Sequence, residues 1–357
     1  MISLNDRKWK AFSIKDIFVT INDEKQVPTG AYIEKKYLHQ GDTPRITVTS
    51  NNNGIDNFWW TEHKNNRSFS NFISVNFLGD AFYHPYNASL DMKVHCLKLK
   101  NRELNKNLAL FLCAMLMNNT KNSNYGNQLS STDIVSKHIL LPVDISGAPD
   151  YYFMETFAKE RLANKQSEYI DYAKAQLAQI ERERVDNEAI KWRMFRIGDL
   201  FEIRRPAPRN KDDYAIGDIN FVASGATNNG VMKSCQPKNG EKLDTGNCIS
   251  VSPVDGSCFY QPIDFLGRGG AGSSIILLYP KNKTRLNKYI GLSLSRLIYQ
   301  TAQKYTYGHM ANKDGVARDK IMLPTRNGSD IDYAWLENCT KVIMYKKYLS
   351  YLNYVIS

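Results

Sequence analysis

One block of sequence is written twice in this chain, and that limits the fold more than any other feature. Trp9-Lys-Ala-Phe12-Ser-Ile14-Lys-Asp16-Ile-Phe18 returns 183 residues later as Trp192-Arg-Met-Phe195-Arg-Ile197-Gly-Asp199-Leu-Phe201. Gly41-Asp42 through Asn52-Asn53-Gly54 returns as Gly217-Asp218 through Asn228-Asn229-Gly230, and Asn71-Phe-Ile73-Ser74-Val75 as Asn247-Cys-Ile249-Ser250-Val251. Phe82-Tyr83-His-Pro85 matches Phe259-Tyr260-Gln-Pro262, and Leu104-Asn105-Lys106 matches Leu286-Asn287-Lys288. Tyr125-Gly126 matches Tyr307-Gly308, and Ile139-Leu-Leu141-Pro142 matches Ile321-Met-Leu323-Pro324. Finally, Asp150-Tyr151 and Glu155 match Asp332-Tyr333 and Glu337. Eight blocks in one order, at offsets of 176 to 183, define a duplicated unit. A length of 357 residues leaves each copy enough chain to bury its own core.

Each copy has the same plan. Short apolar runs such as Phe72–Phe77 and Ile275–Tyr279, set between Gly, Asn and Pro turn signals, predict a mixed β region. A helix follows, over 107–116 in the first copy and 289–300 in the second. A polar, tyrosine-bearing loop and the strand-like Ile139–Val143 or Ile321–Pro324 come next. From Tyr152 to about Ile190 there is neither Gly nor Pro, and Ile170, Ala173, Leu177 and Ile180 recur at helical spacing. Val342, Tyr345, Leu349, Leu352 and Ile356 do the same near the end of the chain. Helices here would be roughly 55–60 Å and roughly 35–40 Å long at 1.5 Å per residue. Two seams of this period most simply pack on each other. The expected class is α+β: two tandem homologous α/β domains over 1–150 and 192–331. The helices at 151–191 and 332–357 join them and pair as an antiparallel, coiled-coil-like spacer.

Composition narrows the partners. Lys and Arg outnumber Asp and Glu by 47 to 36, a net charge of +11 that favours a polyanionic partner. That charge is divided unevenly: residues 1–191 hold 24 basic and 22 acidic side chains (+2), and 192–357 hold 23 and 14 (+9). Asn is abundant, with 17 of the 33 falling between residues 51 and 127, where amides can bond bases or fill turns. No run of 18 apolar residues is present, and the first ten residues lack the apolar core of a signal peptide. The six cysteines form no C-x-x-C pair, which fits buried thiols and a cytoplasmic protein.

A search for catalytic constellations returns none. There is no G-x-x-x-x-G-K-[ST] loop, no H-E-x-x-H, no G-x-S-x-G and no Pro-Pro dipeptide of the kind amino-methyltransferases use. Gly267-Arg-Gly-Gly-Ala-Gly272-Ser273 is glycine-rich but lacks the Lys-Ser/Thr of a phosphate loop, and reads as a flexible loop near a ligand backbone. Glu34-Lys35-Lys36 satisfies a nuclease-type E-x-K only by letters, and the second copy lacks it. The chain reads as non-catalytic.

The duplicated plan closes each unit on a block such as Ile-Leu-Leu-Pro-Val…Gly147-Ala-Pro-Asp150, followed by a long helix. It resembles the specificity subunits of restriction–modification systems, type I and the BcgI-like type IIB members, from Trp9 to about Ile356. The resemblance implies two target recognition domains, each reading one half of a bipartite, asymmetric DNA site. It also implies helices that act as a spacer and dock methyltransferase, or fused nuclease–methyltransferase, subunits. Those partners would carry S-adenosylmethionine and Mg²⁺, with no cofactor, metal or catalytic residue on this chain. One departure is that the C-terminal helix is shorter than the central one. A stand-alone sequence-specific DNA-binding regulator, and a repeat protein with a ligand other than DNA, are the competing readings.

Under that resemblance, blocks shared by the copies are framework and unmatched polar segments are reader candidates. Trp9/Trp192, Phe12/Phe195 and Phe18/Phe201 are then core. Asn51, Asn52, Asn53, Asn228 and Asn229 precede a Gly, where adenine-reading amides and a type I′-like turn are equally good accounts. Trp59, Trp60, Lys64, Asn65, Asn66 and Arg67 form a loop with base-reading chemistry. Lys121, Asn124, Tyr125 and Gln128, with Lys304, Tyr307, His309 and Lys313, form the post-helix loop that is the favoured DNA contact in both units. Arg204, Arg205, Arg209 and Arg268 belong to the second unit alone and fit phosphate clamping or guanine reading. Ile170, Leu177, Ile180, Val342, Leu349 and Leu352 are the expected spacer and docking positions. Glu-Arg-Glu-Arg at 181–184 reads as a solvated salt-bridge face.

Overall fold

The computed structural model describes residues 2–120, 123, 126–182, 190–270, 272–281 and 286–356. The chain divides into two compact units, Met1–Tyr169 and Ile170–Ser357, with the division falling inside one helix. Among the described residues, no helix is long and apolar enough to cross a membrane.

Unit one contains β1 (Lys8–Ser13), α1 (Ile14–Ile17), β2 (His39–Ile46), β3 (Ile55–Trp60), β4 (Ser68–Phe69), β5 (Phe72–Asn76), β6 (Ala81–His84), β7 (Ala88–Leu90) and β8 (Val94–Leu97). α2 (Lys106–Asn119), α3 (Asp133–Ser136), β9 (His138–Val143) and the start of α4 (Tyr151–Arg182) complete it. The strands form a β1-β9 pair, a β6-β5-β8 sheet and a β3-β2-β7-β4 sheet. Every residue of β5 is buried, and α2 covers β6 with Leu108, Leu112 and Leu116 in the same core. This is why the run Phe72–Phe77 shows no alternation: the strand is enclosed on both faces.

Unit two repeats the order after the rest of α4: β10 (Lys191–Arg196), α5 (Ile197–Leu200), β11 (Phe201–Arg204), β12 (Ile216–Val222), β13 (Val231–Cys235), β14 (Cys248–Val251), β15 (Cys258–Gln261), β16 (Leu266–Gly267) and β17 (Ile276–Pro280). α6 (Lys288–Ala302), α7 (Lys313–Arg318), β18 (Lys320–Arg326), β19 (Asp330–Ile331) and α8 (Tyr333–Ile356) follow. Its sheets are β10-β18-β19, β11-β17-β14-β15 and β13-β12-β16.

The repeated blocks prove to be pairs that meet. In unit one the opening strand lies antiparallel to the closing one, with Trp9 opposite Pro142 and Phe12 opposite Ile139. Unit two has the same register, with Trp192 opposite Pro324 and Phe195 opposite Ile321. Asn105 Oδ1 accepts from the Leu108 amide at 3.0 Å and Asn287 Oδ1 from the Tyr289 and Ile290 amides at 3.0 Å, so this block is a helix N-cap. Asp150 and Asp332 cap the long helices, accepting from Phe153 N at 2.9 Å and Trp335 N at 3.0 Å.

Phe18 and Phe201 are core as expected, while Trp9, Phe12 and Phe195 pack at its margin. Trp192 departs from the expectation. It is 41% exposed and meets Trp335 edge-on at 5.3 Å, because its strand face lies at the surface of the β10–β18 ribbon. Five of the six cysteines are buried, and burial pushes the thiols of Cys96, Cys113 and Cys248 up to about 12, far from a reactive thiolate.

Within unit two, the α4 residues after 169 pack on α8 through side chains. Ala173, Ile180, Tyr348 and Leu352 are buried together with Tyr289 of α6, and Ile170, Leu177 and Tyr345 flank them. Tyr172 meets Tyr348 edge-on at 6.0 Å, whereas Ile180 shares a groove with Asn338, Val342 and Tyr345, so these α4 residues and α8 run in opposite senses. The α8 seam agrees with the expected one at Tyr345 and Leu352 and departs from it at two positions. Lys341, Tyr348 and Leu352 are buried, while Leu349 is 40% exposed and Val342 only half-buried. α6 also packs on α8, so burial on α8 is not confined to one seam. The side chains of residues 181–184 and of Ile356 lie outside the described residues.

Candidate nucleic-acid interface

The asparagine turns are built alike in both units. Asn52, Asn53 and Gly54 have φ of 49°, 52° and 77°; Asn228, Asn229 and Gly230 have φ of 49°, 55° and 74°. Three left-handed residues in a row demand Asn and Gly on steric grounds, so the turn accounts for the residue types by itself. Each turn is closed by Thr47 N donating to Gly54 O at 2.8 Å, or Ala223 N to Gly230 O at 2.9 Å. Asn52 Nδ2 donates to Ile55 O at 3.4 Å and Asn228 Nδ2 to Val231 O at 3.0 Å. Asn51, Asn52 and Asn53 are exposed.

Beside each turn lies a groove between α2 and β6, or α6 and β15. The unit-one groove, about 510 Å³, is lined by Asn53, Phe82, Tyr86, Lys106, Leu110 and Met117 among others. The unit-two groove, about 340 Å³, has Asn229, Phe259, Leu292, Arg296 and Tyr299 in the matching places. Each groove is lined by a tied tyrosine: the Tyr83 hydroxyl donates to Asn71 Oδ1 at 3.0 Å in unit one, and the Tyr260 hydroxyl to Asn247 Oδ1 at 3.0 Å in unit two. Both asparagines are left-handed, at φ of 51° and 52°.

The loop after the helix is described only in part. Lys121, Asn122, Asn124 and Tyr125 lie outside the described residues. Gln128 Oε1 accepts from Lys93 Nζ at 2.8 Å. In unit two, His309 N donates to Thr306 O at 2.9 Å and Thr306 N to His309 O at 3.2 Å. These bonds close a two-residue turn that carries Tyr307, 84% exposed, at its tip. His309 stacks on Tyr305 at 6.1 Å, and Tyr305 is buried with its hydroxyl donating to Asp319 Oδ2 at 2.7 Å. Lys304 also pairs with Asp319, and its ammonium lies 5.1 Å from the Tyr305 ring centre. Lys313 opens α7, exposed, after the Asn312 cap.

The basic residues of unit two separate into different roles. Arg209 is corrected: its side chain is 4% exposed, with Nε on Glu241 at 2.7 Å, Nη1 on Asp244 at 2.6 Å and Nη2 on the Lys242 carbonyl at 2.7 Å. A buried guanidinium so occupied holds the domain together and has no face for DNA. Arg204 lies flat against Glu202 at 2.6 and 2.7 Å and over the Tyr279 ring, and those bonds to Glu202 hold its pKa above the usual value. Arg205 is exposed, as is Arg268, which donates to Ser273 Oγ at 2.7 Å. The glycine-rich segment is corrected as well. A Cβ at Gly269 would lie 2.1 Å from Ala207 O and one at Gly267 2.7 Å from Pro206, so these glycines admit the protein's own 206–208 segment rather than a ligand.

Trp59 and Trp60 lie on β3, not in a loop, paired across to the edge of β2 at Gln40 and His39. Trp60 is 52% exposed and 5.7 Å from the His39 ring, and Phe58 stands exposed two residues before it. Phe58 and His39 were not among the expected readers; the i, i+2 spacing of Phe58 and Trp60 is the signal that places them on one face. Lys64, Asn65 and Asn66 are exposed beyond the strand, and Arg67 donates to Thr29 O at 2.7 Å. Glu34 precedes a short 3-10 turn and pairs with Lys36 at 2.9 Å, so the E-x-K letters do not lie on a strand.

Two mixed α+β units, each with an asparagine turn and a groove beside a capped helix, form a tandem pair of recognition domains. Residues 6–171 and 189–347 each match the family described as type I restriction modification DNA specificity domain. The chain belongs to this family and is a specificity subunit of a restriction–modification system, with two domains in tandem. It is 25% identical over 339 residues to the type II restriction enzyme specificity subunit S.BcgI of Heyndrickxia coagulans, covering 92% of this chain and 93% of that one. Among solved structures it is similar to the type I S subunit of M. genitalium, at 15% identity and a TM-score of 0.42 over 99% of this chain and 93% of that one. It is also similar to the HsdS subunit of Thermoanaerobacter tengcongensis, at 10% identity and a TM-score of 0.31 over 96% and 90%.

Proposed function

We propose that each unit reads one half of a bipartite, asymmetric DNA site, and that α4 and α8 dock methyltransferase or fused nuclease–methyltransferase subunits. S-adenosylmethionine, Mg²⁺ and the catalytic residues belong to those partners, and this chain supplies sequence choice. The observation that carries the reading is the tandem match to the DNA specificity domain. In both copies the caps, turns and tyrosine–asparagine pairs are retained while the exposed polar segments differ. A common scaffold with different surfaces is what two different half-sites require.

The experiment is methylation sequencing of DNA treated with the chain alone, with its cognate methyltransferase alone, and with both. Modification of a split sequence only when both are present is the expected result. Methylation or cleavage by the purified chain alone overturns it.

A further inference from the structure

The two asparagine turns share one backbone, yet they differ in what holds the last asparagine. In unit two, Asn229 Nδ2 donates to Tyr260 O and to Gln261 Oε1, both at 3.2 Å. Gln261 Nε2 returns a bond to Asn229 O at 3.0 Å and another to Ser250 Oγ at 3.0 Å. Both amide protons of Asn229 are thus committed inside the domain. The residue that matches Gln261 in unit one is His84. Its Nε2 lies 2.8 Å from Ser74 Oγ, the counterpart of Ser250, and its Nδ1 lies 3.3 Å from the Tyr86 hydroxyl. In unit two Ile263 stands in place of Tyr86 and offers no hydroxyl. Both ring nitrogens are therefore engaged elsewhere, and the Asn53 amide makes no hydrogen bond among the described residues.

Asn53 lines the larger groove together with Lys106, Phe82 and Tyr86, and no acidic side chain is in the lining. A free carboxamide can donate to adenine N7 while accepting from adenine N6, and a nearby ammonium suits the phosphate chain. We propose that Asn53 reads an adenine of the DNA half-site, whereas Asn229 is a structural clamp, and that the exchange of His84 for Gln261 decides which role the turn takes. This rests on the reading of the chain as a DNA specificity subunit. It makes the two copies unequal at a position where the backbone and the residue are the same. Asn52 and Asn228, tied to their own strands in both copies, are framework.

The test uses the full chain with its cognate methyltransferase and a duplex bearing the methylated site. Each adenine in both halves is replaced in turn by 7-deazaadenine, which has carbon in place of the N7 acceptor. Wild type should lose on the order of tenfold in affinity at the adenine that Asn53 reads. Asn53→Ala should bind natural and substituted duplexes equally at that one position and unfold at the wild-type temperature. His84→Gln should behave as Asn53→Ala does, since it installs the clamp. Asn229→Ala should keep every base preference and lower the unfolding temperature. A site without adenine, or an Asn53→Ala or His84→Gln complex that keeps every wild-type penalty, overturns the proposal. A wild-type complex with no sequence preference overturns the underlying reading instead.

Discussion

Arg209 Nη1 lies 2.6 Å from Asp244 Oδ2, and the same guanidinium reaches Glu241 through Nε, from a side chain 4% exposed. Two carboxylates around one buried cation join the 206–210 segment to the 241–244 turn. Removing the arginine leaves both acids without their counter-charge, and breaking a buried pair from one side costs about 3–5 kcal/mol. Arg209→Ala should therefore lower the unfolding free energy measured in urea by that amount. A neighbouring Arg205→Ala, on an exposed side chain, should leave it within about 0.5 kcal/mol of wild type. Equal effects from the two would show that Arg209 is not structural.

His84 gives unit one a buried imidazole where unit two has Gln261, and with it a pH dependence of its own. Burial lowers its pKa from the usual 6.5 to about 4, because the imidazolium has no solvent and no acid to face. The unfolded chain binds the proton at higher pH than the folded one, so the stability is complete above pH 6.5 and falls as the pH drops toward 4. The fall approaches about 3 kcal/mol at its lower limit. His95, also buried and also lowered, adds in the same direction. Urea titrations between pH 7 and pH 4 should show this slope in wild type and a shallower one in His84→Gln.

Tyr307 stands on a turn closed at both ends by the Thr306–His309 pair, over a buried Tyr305 that Asp319 holds. Ordering a side chain on a fixed turn costs little on binding, so an exposed ring there is suited to stacking or wedging against DNA. Tyr307→Ala should weaken binding at one half-site by roughly tenfold, in line with the value of aromatic–base stacking, and leave unfolding unchanged. Tyr305→Phe, which removes the bond to Asp319, should instead lower stability. If Tyr307→Ala binds as wild type does, the turn faces away from DNA.

How much of this was legible in the sequence follows from the kind of contact each residue makes. The repeat exposed the framework because caps and strand pairs use residues with narrow geometric duties: Asn105, Asn287, Asp150 and Asp332 recur since a helix start needs that oxygen. Arg209 reads as a DNA contact in the sequence because a basic residue after a proline-rich run has the same letters whether its acids lie 32 and 35 residues away or are absent. The glycines at 267 and 269 misled for the same reason: the chain that crowds them lies far off in sequence. The α8 seam departs from the expected one at Leu349 and Val342, while Tyr345 and Leu352 keep their places, because a third helix, through Tyr289, shares the contact. Periodicity in one helix carries no record of how many neighbours it has.

The division of charge makes the last prediction. Residues 192–357 hold most of the net charge, +9 against +2 for residues 1–191, but Arg209, Arg204 and Lys304 are committed to acids of the same unit. The salt-dependent grip should then come from exposed cations such as Arg205 and Lys313. Each phosphate contact removed should reduce the slope of log affinity against log salt by about 1. Arg205→Gln and Lys313→Gln should each produce that change and, together, about twice it. Lys304→Gln should leave the slope alone and lower stability instead, because its partner is Asp319. Binding isotherms at several salt concentrations, with the methyltransferase present, measure all of these. A reduced slope for Lys304→Gln would mean that DNA binding breaks the Asp319 pair.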